Sequence, residues 1–212
     1  MGLRLHSYWR ASAPFRVRIG LNLKGLPYDY VPVDLLTGEQ SSAAYKAINP
    51  QGLTPALITP DGEVLIQTLA ILEWLDETYP EPPLLPADAL GRATVRAMAM
   101  VVACDIHPLN NSRVIRELAV RGQDEAARDD WIRKWTAAGF DALEPMIDRH
   151  GAGYAFGSAP TLADCCLAPQ AYVAARFKLD LAPWPAIAGL VARYDDHPAF
   201  AAAHPDRQPD AP

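Results

Sequence analysis

No helix or sheet ladder runs easily through Tyr79-Pro80-Glu81-Pro82-Pro83-Leu84-Leu85-Pro86. Each proline lacks the N–H that a ladder uses, and its ring fixes φ near about −65°. The segment therefore reads as a stiff linker, and the patterns on its two sides differ in kind. Before it, short strand-like and helical stretches alternate. Leu3, Leu5 and Ser7 alternate with Arg4 and His6 as a strand would. Pro14 suits the first turn of a helix that continues from Phe15 to Leu23 and stops at Gly25. Tyr28 to Val33 reads as a second strand, and Ser42 to Ile48 as a short helix. Ala56–Thr59 and Glu63–Gln67 flank Pro60-Asp61-Gly62, a hairpin signal. Thr68 is placed to cap the next helix, with Leu69, Leu72 and Leu75 on its apolar face.

Beyond the linker nothing reads as a strand pair. A helical pattern over Asp88 to Leu118 is bent near Pro108. A second covers Asp124 to His150, with Trp131, Trp135, Phe140 and Leu143 as expected core. A third follows Thr161 and a fourth precedes His197-Pro198. The expected organisation is an α/β domain over 1–80, a linker over 81–87 and an all-helical domain over 88–212.

Charge and cysteine usage then narrow the chemistry. The 212-residue chain is 50% apolar and 21% charged, enough for a sizeable core. Its net charge of −6, with no long run of Lys or Arg, excludes the basic face that a nucleic acid requires. An anionic small molecule must then be met by a few well-placed cations. No apolar window suits a signal peptide or a membrane span, and His6 stands where a myristoylation signal has Ser or Thr. Cys104, Cys165 and Cys166 have neither disulfide nor zinc spacing, so core packing in a reducing cytoplasm is expected, with no metal.

Several short segments can carry chemistry. Trp9-Arg10-Ala11-Ser12-Ala13-Pro14 joins the first strand to the first helix. The unpaired N–H groups and macrodipole of a helix start favour an anion, and they lower the pKa of a thiol held there. No cysteine lies in this loop, so the thiol has to come from a ligand, with Ser12 donating a hydrogen bond and Arg10 adding charge. The plainer alternative is that Ser12 only caps the helix. Thr54-Pro55 enters a strand, where a proline sits at an edge or a strand start. Gln67-Thr68, at a strand-to-helix junction, suits an amino-acid carboxylate, with simple capping again the alternative. Thr161-Leu162-Ala163-Asp164 has capping-box form and a structural role. His107, Asn110, Asn111 and Arg113 cluster near the expected kink, without metal-ligand spacing.

In order and over nearly the whole chain, these segments resemble the zeta-class glutathione S-transferases, a group that includes the maleylacetoacetate and maleylpyruvate isomerases. The likeness runs through WRASAPFRVRIGLNLKGLPYDY, INPQGLTPAL, IQTLAILEWLDETYP, CDIHPLNN, GSAPTLADCCLAPQ, ARFKLDLAPWP and HPDRQPD. GLTPAL and TLAD mark the superfamily; CDIHPLNN, RFKLDLAPWP and HPDRQPD look like the isomerase branch. The resemblance implies a thioredoxin-like α/β domain followed by an all-α domain. It also implies glutathione as cofactor, a dicarboxylate substrate and a homodimer. Thr54 and a cis Pro55 are implied to bind the cysteinyl backbone of glutathione, Gln67 and Thr68 its γ-glutamyl group, and Gln40 its glycyl end. His107, Asn111 and Arg113 match positions near the thiol and substrate, and Arg10 and Arg176 match arginines that hold substrate carboxylates. The family's Ser-Ser-Cys-Ser run is Ala11-Ser12-Ala13-Pro14 here, which leaves thiolate activation to Ser12, the helix start and Arg10. The implied reaction is cis–trans isomerisation of a maleyl keto-acid by reversible thiolate addition. The alternative is a transferase that conjugates or dehalogenates small electrophiles, and a non-enzymatic ligand-binding role is a third reading.

Overall fold

A computed structural model describes residues 2–212. In chain order the elements are β1 (Leu3–Ser7), α1 (Ser12–Leu23), β2 (Tyr28–Pro32), a 3-10 turn (Glu39–Ser41) and α2 (Ala43–Ile48). β3 (Ala56–Ile58), β4 (Val64–Ile66) and α3 (Thr68–Thr78) follow. Then come α4 (Ala89–Met100), a π-helical stretch (Val101–Ile106), α5 (His107–Asn110), α6 (Ser112–Val120) and α7 (Glu125–His150). α8 (Leu162–Arg176), α9 (Pro185–Asp196), α10 (Pro198–Ala203) and a last 3-10 turn (Pro205–Arg207) complete the chain. They form two compact units, Met1–Leu84 with Asp195–Pro212, and Leu85–Tyr194.

The first unit is built on a four-stranded sheet of order β2-β1-β3-β4. β1 pairs parallel with β2, Leu5 opposite Tyr30, because α1 supplies the crossover that a parallel pair requires. β3 pairs antiparallel with both β1 and β4. Phe15, Val17, Ile19 and Leu21 of α1 are all buried, and so are Arg16 and Arg18 between them. The helix approaches α3 so closely that a Cβ on Gly20 would stand 2.3 Å from Leu72. Ile71, Leu72 and Leu75 form the buried face of α3.

The tail departs from the expected boundary, which assigned 88–212 to the helical domain. α10 packs on α1, and Arg18 Nε and Asn22 Nδ2 donate to Ala203 O and Ala199 O, each at 3.0 Å. Buried donors on α1 find their acceptors in the tail, so the tail joins the sheet unit. The linker also differs from a free spacer. Lys24 Nζ donates to Asp76 Oδ1 (3.1 Å), Tyr79 O (2.7 Å) and Pro82 O (2.9 Å), and Leu84 N donates to Asp76 Oδ1 (2.6 Å). One buried ammonium thus satisfies carbonyls that the prolines leave without ladder partners.

In the second unit α7 starts at the Asp124 cap, whose carboxylate accepts from Ala127 N. Phe140 and Leu143 are core as expected, whereas Trp131 and Trp135 are half-buried beside Ile132 and Thr136, which take the inner positions. Cys165 and Cys166 are buried on α8, but Cys104 is exposed in the π-helical stretch, contrary to the core role expected of it. The bend expected at Pro108 is carried by that stretch and by a break at Asn111, which caps α6. Asp164 reaches back to Thr161 in the expected capping box. Among the described residues no helix is long and apolar enough to cross a membrane.

Candidate functional site

In the first unit, α1 and α3 both begin without a side-chain cap. The cap position of α1 is Ala11, which has no side-chain acceptor, and Ser12 is the first helical residue. The idea that Ser12 merely caps α1 is therefore corrected: its backbone is already helical. Ser12 is buried, and Arg10, half-buried, lies over the Trp9 ring at 5.3 Å.

At the head of α3 the cap position is Gln67, not Thr68 as the sequence suggested, and its side chain does not cap. Gln67 holds φ 70 and ψ 119, and its Nε2 donates to Gln51 Oε1 at 2.9 Å. Thr68 is buried and its Oγ1 accepts from Arg16 Nη1 at 3.4 Å. Arg16, in the second turn of α1, thereby ties that helix to the first residue of α3, and each uncapped helix start presents unpaired N–H groups that favour negative charge.

The loop before β3 is fixed from α2. The Tyr45 hydroxyl (2.8 Å) and Asn49 Nδ2 (2.7 Å) both donate to Leu53 O. Burial pushes the Tyr45 hydroxyl pKa up to about 12, so it remains a donor at neutral pH. The next peptide bond, Thr54-Pro55, is cis. Gly52 sits at φ 62, and a Cβ there would meet Gln40 O at 2.9 Å, so glycine lets this loop rest on the Glu39–Ser41 turn. Gln40 is buried, and its Oε1 has no hydrogen-bond partner. An acceptor in that state suits a polar ligand, because leaving it unmet is costly.

Other candidates belong to the second unit. His107 opens α5, and Asn111 caps α6, its Oδ1 accepting from Arg113 N at 3.0 Å. Arg113 is exposed. Arg176 ends α8, exposed, with its guanidinium 5.4 Å from the Phe177 ring centre and 6.0 Å from that of Tyr172. A groove of about 590 Å³ between α4 and α7, lined by residues such as Thr94, Met146 and Arg149, contains none of the candidates.

Sequence reasoning missed Arg16 and Gln51. Arg16 carried a signal: in FRVRIGLNL it stands between apolar residues that leave a short helix no polar face. Gln51 carried none, since its partner is 16 positions away.

Comparison with known proteins identifies the family. Residues 12–78 match the family model for the glutathione S-transferase N-terminal domain. The maleylpyruvate isomerase of a Ralstonia species is 50% identical over 212 residues, covering 99% of this chain and all of that protein. A holo structure of maleylpyruvate isomerase, described as a bacterial zeta-class glutathione S-transferase, superposes with a TM-score of 0.95 at 48% identity, covering 99% and 100% of the two chains. The maleylacetoacetate isomerase of Anaeromyxobacter dehalogenans, solved with dicarboxyethyl glutathione and citrate in its active site, gives a TM-score of 0.89 at 47% identity, covering 100% and 98%.

Proposed function

Because the chain belongs to the zeta-class glutathione S-transferases, we propose that it is a glutathione-dependent isomerase, turning maleylpyruvate or maleylacetoacetate into the fumaryl form. The observation that carries this reading is the pairing, within one unit, of two helix starts that lack side-chain caps and are tied by Arg16 to Thr68. The buried, partnerless Gln40 Oε1, on the turn against which Gly52 rests, fits a peptide-like cofactor with N–H groups to donate.

Bound glutathione supplies a thiol that adds reversibly to the cis double bond and so permits rotation about it. The remaining work falls to the chain. The Ser12 hydroxyl and the first N–H groups of α1 stabilise negative charge on sulfur, and Arg10 adds to that field. Gln67, Thr68 and the start of α3 hold the γ-glutamyl carboxylate. The backbone of Thr54, before Pro55, pairs with the cysteinyl portion, and Gln40 meets the glycyl end. In the helical unit, His107, Asn111 and Arg113 are assigned to the neighbourhood of thiol and substrate. Arg10 and Arg176 are assigned to the substrate carboxylates, since a guanidinium fork matches a carboxylate bidentately. The sheet unit is thus the glutathione-binding domain. The enzyme acts in the cytoplasm as a homodimer; the exposed apolar side chains of Leu90 and Met100 on α4 offer surface for such contact.

An absorbance assay of maleylpyruvate and maleylacetoacetate isomerisation, with and without glutathione, tests the reading on wild type and Arg176→Ala. Turnover should require glutathione, and kcat/KM should fall about ten- to a hundredfold in the variant, as expected for a lost charged hydrogen bond. No turnover of either substrate, together with conjugation of a test electrophile, would replace the isomerase by a transferase.

A further inference from the structure

The segment leading into α1 is held by the far end of the chain. Asp210 Oδ2 accepts the backbone N–H of Trp9 at 3.0 Å, and Oδ1 accepts the Tyr30 hydroxyl at 2.6 Å. From the other side, the fully buried Arg18 donates Nη2 to Trp9 O (2.9 Å) and Nη1 to Ser7 Oγ (3.1 Å) and Tyr8 O (3.5 Å). Its Nε reaches Ala203 O at 3.0 Å. Gln208 is buried and secures the tail on itself, donating to Ala202 O (3.0 Å) and His204 O (2.8 Å).

Both peptide groups of Trp9 therefore end on charged side chains, the N–H on a carboxylate and the C=O on a guanidinium. Hydrogen bonds to ionised groups are among the stronger ones available to a loop. They act on the residue immediately before Arg10, and the chain between Trp9 and Ser12 is too short to absorb a displacement at Trp9. Stabilisation alone would need only an acceptor for Arg18, which Ala203 O and Ser7 Oγ already give. One oxygen of the Asp210 carboxylate goes instead to the loop, and the other is oriented by Tyr30 on β2.

We infer that Asp210 and Arg18 are positioning residues: they fix the Trp9 peptide groups and thereby set Arg10 and Ser12 against the thiol of bound glutathione. The inference rests on the proposed roles of Ser12 and Arg10. It gives the HPDRQPD tail a part in the chemistry, although no tail residue is assigned to a ligand.

Full-length Asp210→Ala, Asp210→Asn and Tyr30→Phe test it, each measured for melting temperature, kcat, KM for glutathione, ultraviolet titration of the bound thiol, and hydrogen exchange of the 8–12 amides. Asp210→Ala should lower kcat about ten- to a hundredfold, the scale of a small misplacement of catalytic groups, with a much smaller change in KM. Its bound thiol should ionise at higher pH, and its 8–12 amides should exchange faster. Asp210→Asn keeps an acceptor for the Trp9 N–H and should recover most of kcat. Tyr30→Phe removes only the hydroxyl that orients the carboxylate, so it should shift the same readouts by less, and it decides the matter if Asp210→Ala does not fold. A lowered melting temperature with wild-type kcat and thiol titration would reduce the tail to a structural brace and overturn the inference. Should the wild type itself show no glutathione-dependent turnover, the proposed function fails separately. The tail is then judged on loop exchange and glutathione affinity, and unchanged values in Asp210→Ala overturn the inference there too.

Discussion

Gln67 holds φ 70 and ψ 119 at the head of α3, a region in which any side chain beyond glycine's costs about 1–3 kcal/mol. Gln67→Gly should remove most of that strain and raise stability by about 1 kcal/mol, glycine's own entropy offsetting part of the gain. The same change deletes the amide assigned to the γ-glutamyl group, so KM for glutathione should rise about tenfold, the equivalent of one net hydrogen bond. Urea denaturation and steady-state kinetics on one preparation check both signs; a stability gain with unchanged KM would strip Gln67 of its binding role. A second residue-scale test concerns His6, whose pKa is lowered by burial and by Arg4, with Glu39 opposing. The unfolded chain takes up a proton near pH 6.5 while the folded chain resists it, so stability should fall as pH drops below about 6.5 toward the folded value. Thermal melts of wild type and His6→Gln between pH 8 and 5 should show a shallower acid-side decline in the variant; parallel curves would remove His6 from the account. Residues of this kind differ in how well the sequence shows them. Ser12, Gln67 and Thr68 stand at junctions where periodicity changes, and junctions are visible in sequence. That Ala11 and Gln67 hold the cap positions is a matter of backbone dihedrals, which side-chain preference at a polar residue does not decide.

At the scale of elements, the start of α8 is organised by one buried carboxylate. Asp164 accepts from Ala155 N (2.8 Å), Thr161 N (2.7 Å), Thr161 Oγ1 (2.8 Å) and the Tyr194 hydroxyl (2.7 Å). Burial pushes its pKa up, and these four donors work against that rise. Asp164→Ala would strand all four in the core and should cost about 3–5 kcal/mol, whereas Tyr194→Phe removes a single bond and should cost about 1–2 kcal/mol. Equilibrium denaturation of the two variants distinguishes this ordering; equal losses would show that Tyr194, not the carboxylate, organises the corner. Elements with strong local signals were legible: β1 from its alternation, the β3–β4 hairpin from Pro60-Asp61-Gly62, and α8 from its capping box. The π-helical stretch was not, because a register shift of one residue depends on packing and leaves the 3.6-residue pattern almost intact. The linker's attachment was equally hidden, since it depends on Lys24, more than fifty positions earlier in the chain.

For the molecule as a whole, the two ends of the chain build one unit and the middle builds the other. The sequence shows the change of pattern at the prolines but not this return, because α10, the short apolar run Pro198–Ala203, carries no periodicity that names its partner and the tail's partners lie up to 201 positions away. All four strands precede residue 67, yet the sheet unit is incomplete without its last segment. A chain ending at Asp196 keeps the sheet, α1 and α3. It loses Ala203 O, Ala199 O and the Asp210 carboxylate, the partners of Arg18, Asn22, Trp9 and Tyr30. Burial already pulls the Arg18 pKa down to about 10, and the Asp210 charge is one of the groups opposing that pull. Arg18 keeps Ser7 Oγ, Tyr8 O and Trp9 O but loses Ala203 O, a charged hydrogen bond of about 1.5–3 kcal/mol, a fair share of the roughly 5–15 kcal/mol by which a typical domain is stable. The truncated chain should therefore lose hydrogen-exchange protection in β1 and α1 first, while α7 and α8, which belong to Leu85–Tyr194, keep theirs. Equal loss across both units would mean that they unfold as one. Full protection of β1 and α1 would mean that the sheet needs no help from the tail.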